Sequence, residues 1–76
     1  MQLRLGGHLS WYDPQKRSRL EIPLTTAVPL TVLLRQLQIP PAEIAIVTVN
    51  RKMVALEDAQ VSDRDLVELF PPVGGG

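Results

Sequence analysis

The chain has 76 residues, 45% of them hydrophobic, and no cysteine. That length allows one domain, burying only roughly 60% of the surface its unfolded form exposes; the lack of thiols excludes a disulfide framework, a thiolate zinc site and a cysteine nucleophile. Eight basic and eight acidic side chains cancel, leaving no global basic field to hold nucleic acid, and no window approaches the roughly 20 apolar residues of a membrane span.

"MQLRL" alternates apolar and polar, with Met1, Leu3 and Leu5 on one face, as a half-buried strand does. "GGH" breaks it; Gly6-Gly7 has no phosphate-loop spacing and reads as a strand end. "WYDPQKR" is a turn signal centred on Asp13-Pro14. "SRLEIPL" alternates again through Leu20, Ile22 and Leu24, so the two strands form a hairpin. Pro23 has no amide hydrogen for a ladder, which puts this strand at a sheet edge.

"PLTVLLRQL" changes period. Leu30, Leu33, Leu34 and Leu37 fall at i, i+3, i+4 and i+7, one stripe of a helix. Pro29 is tolerated in its first turn, and "IPP" at 39–41 ends it. "AEIAIVTVN" is a strand, "NRK" a turn, "MVAL" a short edge strand and "EDAQVSDRD" a polar connection. "LVELF" at 66–70 is the last strand, stopped by Pro71-Pro72.

A hairpin, a crossing helix and two or three further strands make an α+β roll of the β-grasp type, a mixed sheet of four to five strands with one main helix. The helix stripe would cover Leu3, Leu5, Leu20, Ile22, Val47, Val49, Val67 and Leu69. With Val67 and Leu69 inward, period two turns Leu66, Glu68 and Phe70 to the opposite face, and Ile46 with them. The domain is expected over residues 1–70, with a flexible tail over 71–76.

Three of the five glycines are the last three residues, Gly74, Gly75 and Gly76. A glycine carboxylate fits a channel too narrow for a Cβ and can bend once inside. Pro71-Pro72 favours an extended chain pointing outward, and six residues past Phe70 reach roughly 20 Å. Such a tail suits delivery of a carboxylate to another protein's active site. A glycine run is also what an inert end or a cloning scar leaves; here it comes after a strand and a Pro-Pro stop, not a polar linker.

"VSDRDLVELFPPVGGG" resembles the end of the MoaD/ThiS sulfur-carrier family, ubiquitin-like β-grasp proteins with an Asp-Gly-Asp turn, a final strand, "PPV", a small residue and Gly-Gly. Asp63 and Asp65 stand at the turn acids, Pro71, Pro72 and Val73 at the "PPV", Gly74 at the small residue and Gly75-Gly76 at the terminal pair. "LLRQLQIP" and "IVTVN" extend the similarity back to about Leu20. "FPPV" places the chain closer to MoaD. Arg64 departs from the turn glycine; positive φ is uncommon for such a residue, so the turn is expected to differ. Residues 38–44 are too few for the second helix of some MoaD proteins.

The resemblance implies a protein co-substrate and not an enzyme. A MoeB/ThiF-like adenylating enzyme would use ATP-Mg to activate Gly76, sulfur transfer would leave a thiocarboxylate, and an acceptor such as the molybdopterin synthase large subunit would take the sulfur. Gly74 and Gly75 would thread the channel; Phe70, Pro71, Pro72, Val73 and Ile46 would form the dock. The carrier itself would bind no cofactor and no metal. A ThiS-type role in thiazole synthesis, a tRNA-thiolation or protein-modifier carrier, and a plain β-grasp interaction domain with an inert tail are the alternatives. "MQLRLGGH" has no signal-peptide run, so the expected compartment is the cytoplasm.

The other chemistry-bearing residues carry less. His8 is the only histidine and reads as a surface residue. Trp11 and Tyr12 at the hairpin tip either mark an interaction site or fold back on the sheet. "KRSR" at 16–19 reads as a solvated tip, and the late cluster of Glu57, Asp58, Asp63, Asp65 and Glu68 as a solvated surface.

Overall fold

The structure is a computed structural model and describes residues 1–72. Among these, the strands are β1 (Gln2–Leu5), β2 (Arg19–Glu21), β3 (Val28–Pro29), β4 (Ile46–Val49), β5 (Lys52–Val54), β6 (Gln60–Val61) and β7 (Leu66–Phe70). The α-helix is α1 (Leu30–Leu37), and short 3-10 stretches occupy Gly7–Tyr12, Pro41–Glu43 and Leu56–Asp58.

Five strands form one mixed sheet in the order β2-β1-β7-β4-β5. The first and last strands, β1 and β7, are parallel neighbours at its centre, and the other pairs are antiparallel. This is the expected β-grasp roll. β2 and β5 lie at the edges, and β2 stops before the exposed Pro23, as a residue without an amide hydrogen requires.

Alternation decides which face is covered. Leu3, Leu5, Val47, Val67 and Leu69 are buried beneath Leu30, Leu33 and Leu34 of the helix stripe, and Leu20, Ile22, Leu37 and Val49 pack around them half-buried. The helix ends one turn before the prolines. Gln38 turns left-handed at φ 60°, and the amide of Ile39 donates to the carbonyl of Leu34 at 3.0 Å. That is a Schellman ending made without glycine, and the buried Ile39 supplies its hydrophobic contact.

The connection after β5 corrects the polar reading of "EDAQVSDRD". Ala59 and Val61 are buried core residues, β6 pairs with β3, and the Ala59 carbonyl accepts the Leu30 amide at 2.9 Å, satisfying the start of the helix. Two residues of alternation between polar flanks give too short a periodic signal to register. Two of the late acids, Asp63 and Asp65, are also structural. Asp63 Oδ1 accepts the Leu24 amide at 2.8 Å, while Asp65 accepts the Ser62 amide at 2.8 Å and the Asn50 side-chain amide at 2.9 Å. The turn closes through the Asp65 amide and the Ser62 carbonyl at 3.0 Å, and Arg64 is not among the positive-φ residues, so no glycine is needed there.

Residues 7–18 are more than a turn. Leu9 is fully buried and Tyr12 packs against the core, while Trp11 is 72% exposed with the Lys16 ammonium 5.5 Å from its ring centroid. Within "KRSR", Arg17 is not merely solvated. Its Nε and Nη2 donate to the buried Asp13 carboxylate at 2.9 and 3.1 Å, joined by the amides of Gln15 and Arg17. These bonds, the Arg17 side chain foremost, hold the Asp13 carboxyl down at about 2. A depressed folded pKa adds stability that is complete above the ordinary carboxylate range near about 4 and is lost as pH falls through about 2. Asp63 and Asp65 are lowered too, by the Leu24 amide and the Asn50 side chain respectively. The melting temperature is therefore expected to hold at neutral pH and decline below about pH 4. Asp13→Asn should lower it at pH 7 and flatten the acid decline; an unchanged pH profile would remove Asp13 from this role.

Candidate functional site: the root of the C-terminal segment

β7 carries the chain to the expected tail. Its inward residues Val67 and Leu69 are fully buried, which fixes the strand and forces Leu66, Glu68 and Phe70 outward. Phe70 is 37% exposed and lies directly opposite Ile46 in the β4–β7 register. Two of the five expected docking residues therefore form a cross-strand pair on the face the helix leaves open. Met53 on β5, opposite Thr48, joins the same face at 71% exposure. The reading of the sequence did not single it out, although alternation with the half-buried Val54 carries the signal.

Beside this apolar patch the face is polar. Glu68 accepts a hydrogen bond from the Thr48 hydroxyl at 3.0 Å, with Arg4 and Arg51 each 3.9 Å away. At that length and exposure the ion pairs add little stability. Their arrangement leaves arginines around one carboxylate, and a shallow groove runs past Arg4, Ser18, Arg19, Glu68 and Phe70.

The ladder stops at Phe70 for a local reason. The Gly6 amide donates to the Leu69 carbonyl and the Ala45 amide to the Phe70 carbonyl, both at 2.8 Å. Pro71 and Pro72 then offer no amide hydrogen. Pro71 is half-buried and Pro72 exposed. Gly7 at φ +52° faces the Pro71 ring, and Gly6 faces Phe70. The remaining expected site residues, Val73, Gly74, Gly75 and Gly76, lie outside the described residues.

His8 is exposed, with Nε2 3.2 Å from Glu43 Oε2, which links the Gly7–Tyr12 and Pro41–Glu43 stretches. Among the described residues no three His, Asp or Glu side chains gather as a metal site would require, and no helix is long and apolar enough to cross a membrane.

A model of the ThiS family matches residues 11–76, nearly the whole chain, including all of β7 and the C-terminal segment beyond it. The chain belongs to the ThiS family. Members of the ThiS and MoaD group are small sulfur carriers that act with partner proteins and are not enzymes themselves. Solved structures share the fold. The crystal structure of the thiamine biosynthesis protein ThiS from Geobacter metallireducens is 24% identical over 100% of both chains, with a TM-score of 0.59. A solution structure of a thiamine biosynthesis protein from the same organism is 25% identical over 100% of this chain and 88% of that one, with a TM-score of 0.55. A chain in the complex of subunits 1 and 2 of the molybdopterin-converting factor of Helicobacter pylori is 22% identical over 99% of this chain and 96% of its own, with a TM-score of 0.60. No curated protein matches the chain in sequence. Thiamine and molybdopterin proteins both stand among these structural relatives, so what they establish is the ThiS fold and not the branch.

Proposed function

We propose that Gly76 is the working residue of this ThiS-family protein, as the bearer of a C-terminal carboxylate that is adenylated and then converted to a thiocarboxylate. The observation that carries the reading is the cross-strand Phe70–Ile46 pair, Phe70 exposed and Ile46 half-buried, at the point where β7 gives way to "PPVGGG". A docking patch stands at the root of a segment slender enough to thread a channel. An activating enzyme of the MoeB/ThiF type holds the patch, and one carboxylate oxygen attacks the α-phosphate of ATP-Mg, with pyrophosphate leaving. Activation is needed because a carboxylate is a poor electrophile until AMP is made its leaving group; a sulfur nucleophile then displaces AMP. The chain contributes position and backbone clearance and no acid, base or metal. The setting is the cytoplasm.

"FPPV" directs the sulfur to a molybdopterin synthase large subunit. A second reading, sulfur for the thiazole of thiamine, is favoured by the match to the ThiS model over residues 11–76. Intact mass after incubation with an activating enzyme, ATP-Mg and a sulfur source tests the shared chemistry, since one sulfur must replace one oxygen at Gly76. An unchanged mass with a competent enzyme would sink the carrier reading. Rescue of a carrier-deficient strain for molybdenum cofactor or for thiamine separates the two acceptors.

The dock has its own test. Phe70→Ala should weaken binding to the activating or acceptor enzyme by about 1–3 kcal/mol, as expected for an aromatic anchor, and change stability by less than about 1 kcal/mol. A large loss of melting temperature at unchanged affinity would assign Phe70 to the core.

A further inference from the structure

Outside the terminal run the chain has only two glycines, Gly6 and Gly7. Backbone conformation favours glycine at the second of these positions and not at the first. Gly6 sits at φ −80°, ψ 161°, open to any residue. Gly7 has φ +52°, yet Lys16, Gln38, Asn50 and Arg51 hold positive φ in this same fold without being glycine. What both positions lack is room. A Cβ on Gly7 would stand 2.6 Å from Cγ of Pro71, and one on Gly6 would stand 2.9 Å from Cδ1 of Phe70 and 3.1 Å from the Leu69 carbonyl oxygen.

We infer that Gly6-Gly7 is a positioning pair, a seat that fixes the direction in which the C-terminal segment leaves the domain. The inference rests on the carrier reading above. Hydrogen bonds hold β7 as far as the Phe70 carbonyl, and past it Pro71 and Pro72 donate none. Packing of Pro71 on Gly7 is the contact that aims the chain at that point. The seat is itself anchored, because Leu9 is fully buried and its amide donates to the Gly6 carbonyl at 3.1 Å. Direction matters because the five residues after Pro71, drawn out in an active site, form an arm of about 16 Å. A rotation of about 10° at its root swings the end by roughly 3 Å, and about 1 Å of misplacement can slow a reaction roughly 100-fold.

The test is a mutant cycle with the full chain and an activating enzyme, read as ATP–pyrophosphate exchange and as melting temperature. Gly7→Ala should lower kcat by about tenfold or more while KM for the carrier stays within about threefold, because the added methyl meets Pro71 and leaves the Phe70–Ile46 pair in place. In a Pro71→Ala background, which removes the ring, the same change should alter kcat by less than about twofold. The melting temperature should fall in both backgrounds, since the strain of φ +52° remains. A wild-type kcat for Gly7→Ala, or an equal kcat loss in both backgrounds, would make Gly7 merely structural and overturn the inference. Should Gly7→Ala not fold, Gly6→Ala, free of positive φ, carries the test, and undiminished kcat there overturns it. If the wild type itself is not adenylated, the carrier reading fails instead. The seat is then judged by the Cα and Cβ chemical shifts of Pro71 and Pro72, which must move in Gly7→Ala; fixed shifts overturn it.

Discussion

Gly75→Ala is expected to slow formation of the Gly76 acyl-adenylate roughly 100-fold while leaving affinity for the activating enzyme nearly unchanged. On the proposed carrier reading, affinity resides on the sheet face around Phe70 and Ile46, whose residues this substitution leaves unchanged. The rate depends on the last residues lying in a channel beside ATP with the carboxylate in line with the α-phosphate. Glycine permits both close walls and unusual φ there, whereas a Cβ clashes or shifts the carboxylate. Gly74→Ala should be mild, because the family resemblance places other small residues at that position. Removal of Gly76 should abolish adenylation with the fold intact. Side-by-side pyrophosphate exchange decides the matter: equal rates for Gly75→Ala and Gly74→Ala would mean that the channel does not discriminate against a methyl.

Leu34→Ala is expected to have the largest effect on stability. Leu34 is fully buried in the stripe of α1, and its carbonyl also anchors the Schellman ending through Ile39. Truncating a buried leucine costs about 2–5 kcal/mol, a large share of the roughly 5–15 kcal/mol of a typical domain. The melting temperature should drop by more than about 8 °C, at roughly 4–8 °C per kcal/mol for a chain of this size. Val32→Ala, two residues away on the 37%-exposed side of the same helix, should change stability by no more than about 0.5 kcal/mol. Comparable losses for the two variants in thermal melts would contradict the stripe.

The two outcomes would separate cleanly. One variant is expected to impair the proposed chemistry in a folded domain, and the other to destabilise the domain with the C-terminal sequence unchanged. A carrier can divide its sequence this way because its core serves only to present a face and a terminus.

Much of this was legible in the residues. Leu30, Leu33, Leu34 and Leu37 recur at helical spacing, and Leu3, Leu5, Val67 and Leu69 alternate, so helix, strands and the covered face can be read from periodicity alone. The same alternation turned Phe70 and Ile46 outward. Short-range regularity suffices for these because each repeats over several residues.

Tertiary structure decided what depends on one or two residues meeting distant ones. The parallel β1–β7 pairing sets the C-terminal ends of the first and last strands side by side, and only then does Gly7 lie under Pro71 and Gly6 under Phe70. Ala59 and Val61 are core because β6 meets β3 and the Ala59 carbonyl receives the first amide of the helix; "AQV" between acids carries no period to announce it. The exposed Arg17 closes an ion pair over the buried Asp13 at a tip whose composition reads as solvated. Periodicity records which face of an element avoids water, a property each segment holds alone. Clearance, capping and pairing are relations between segments, and the fold is what creates them.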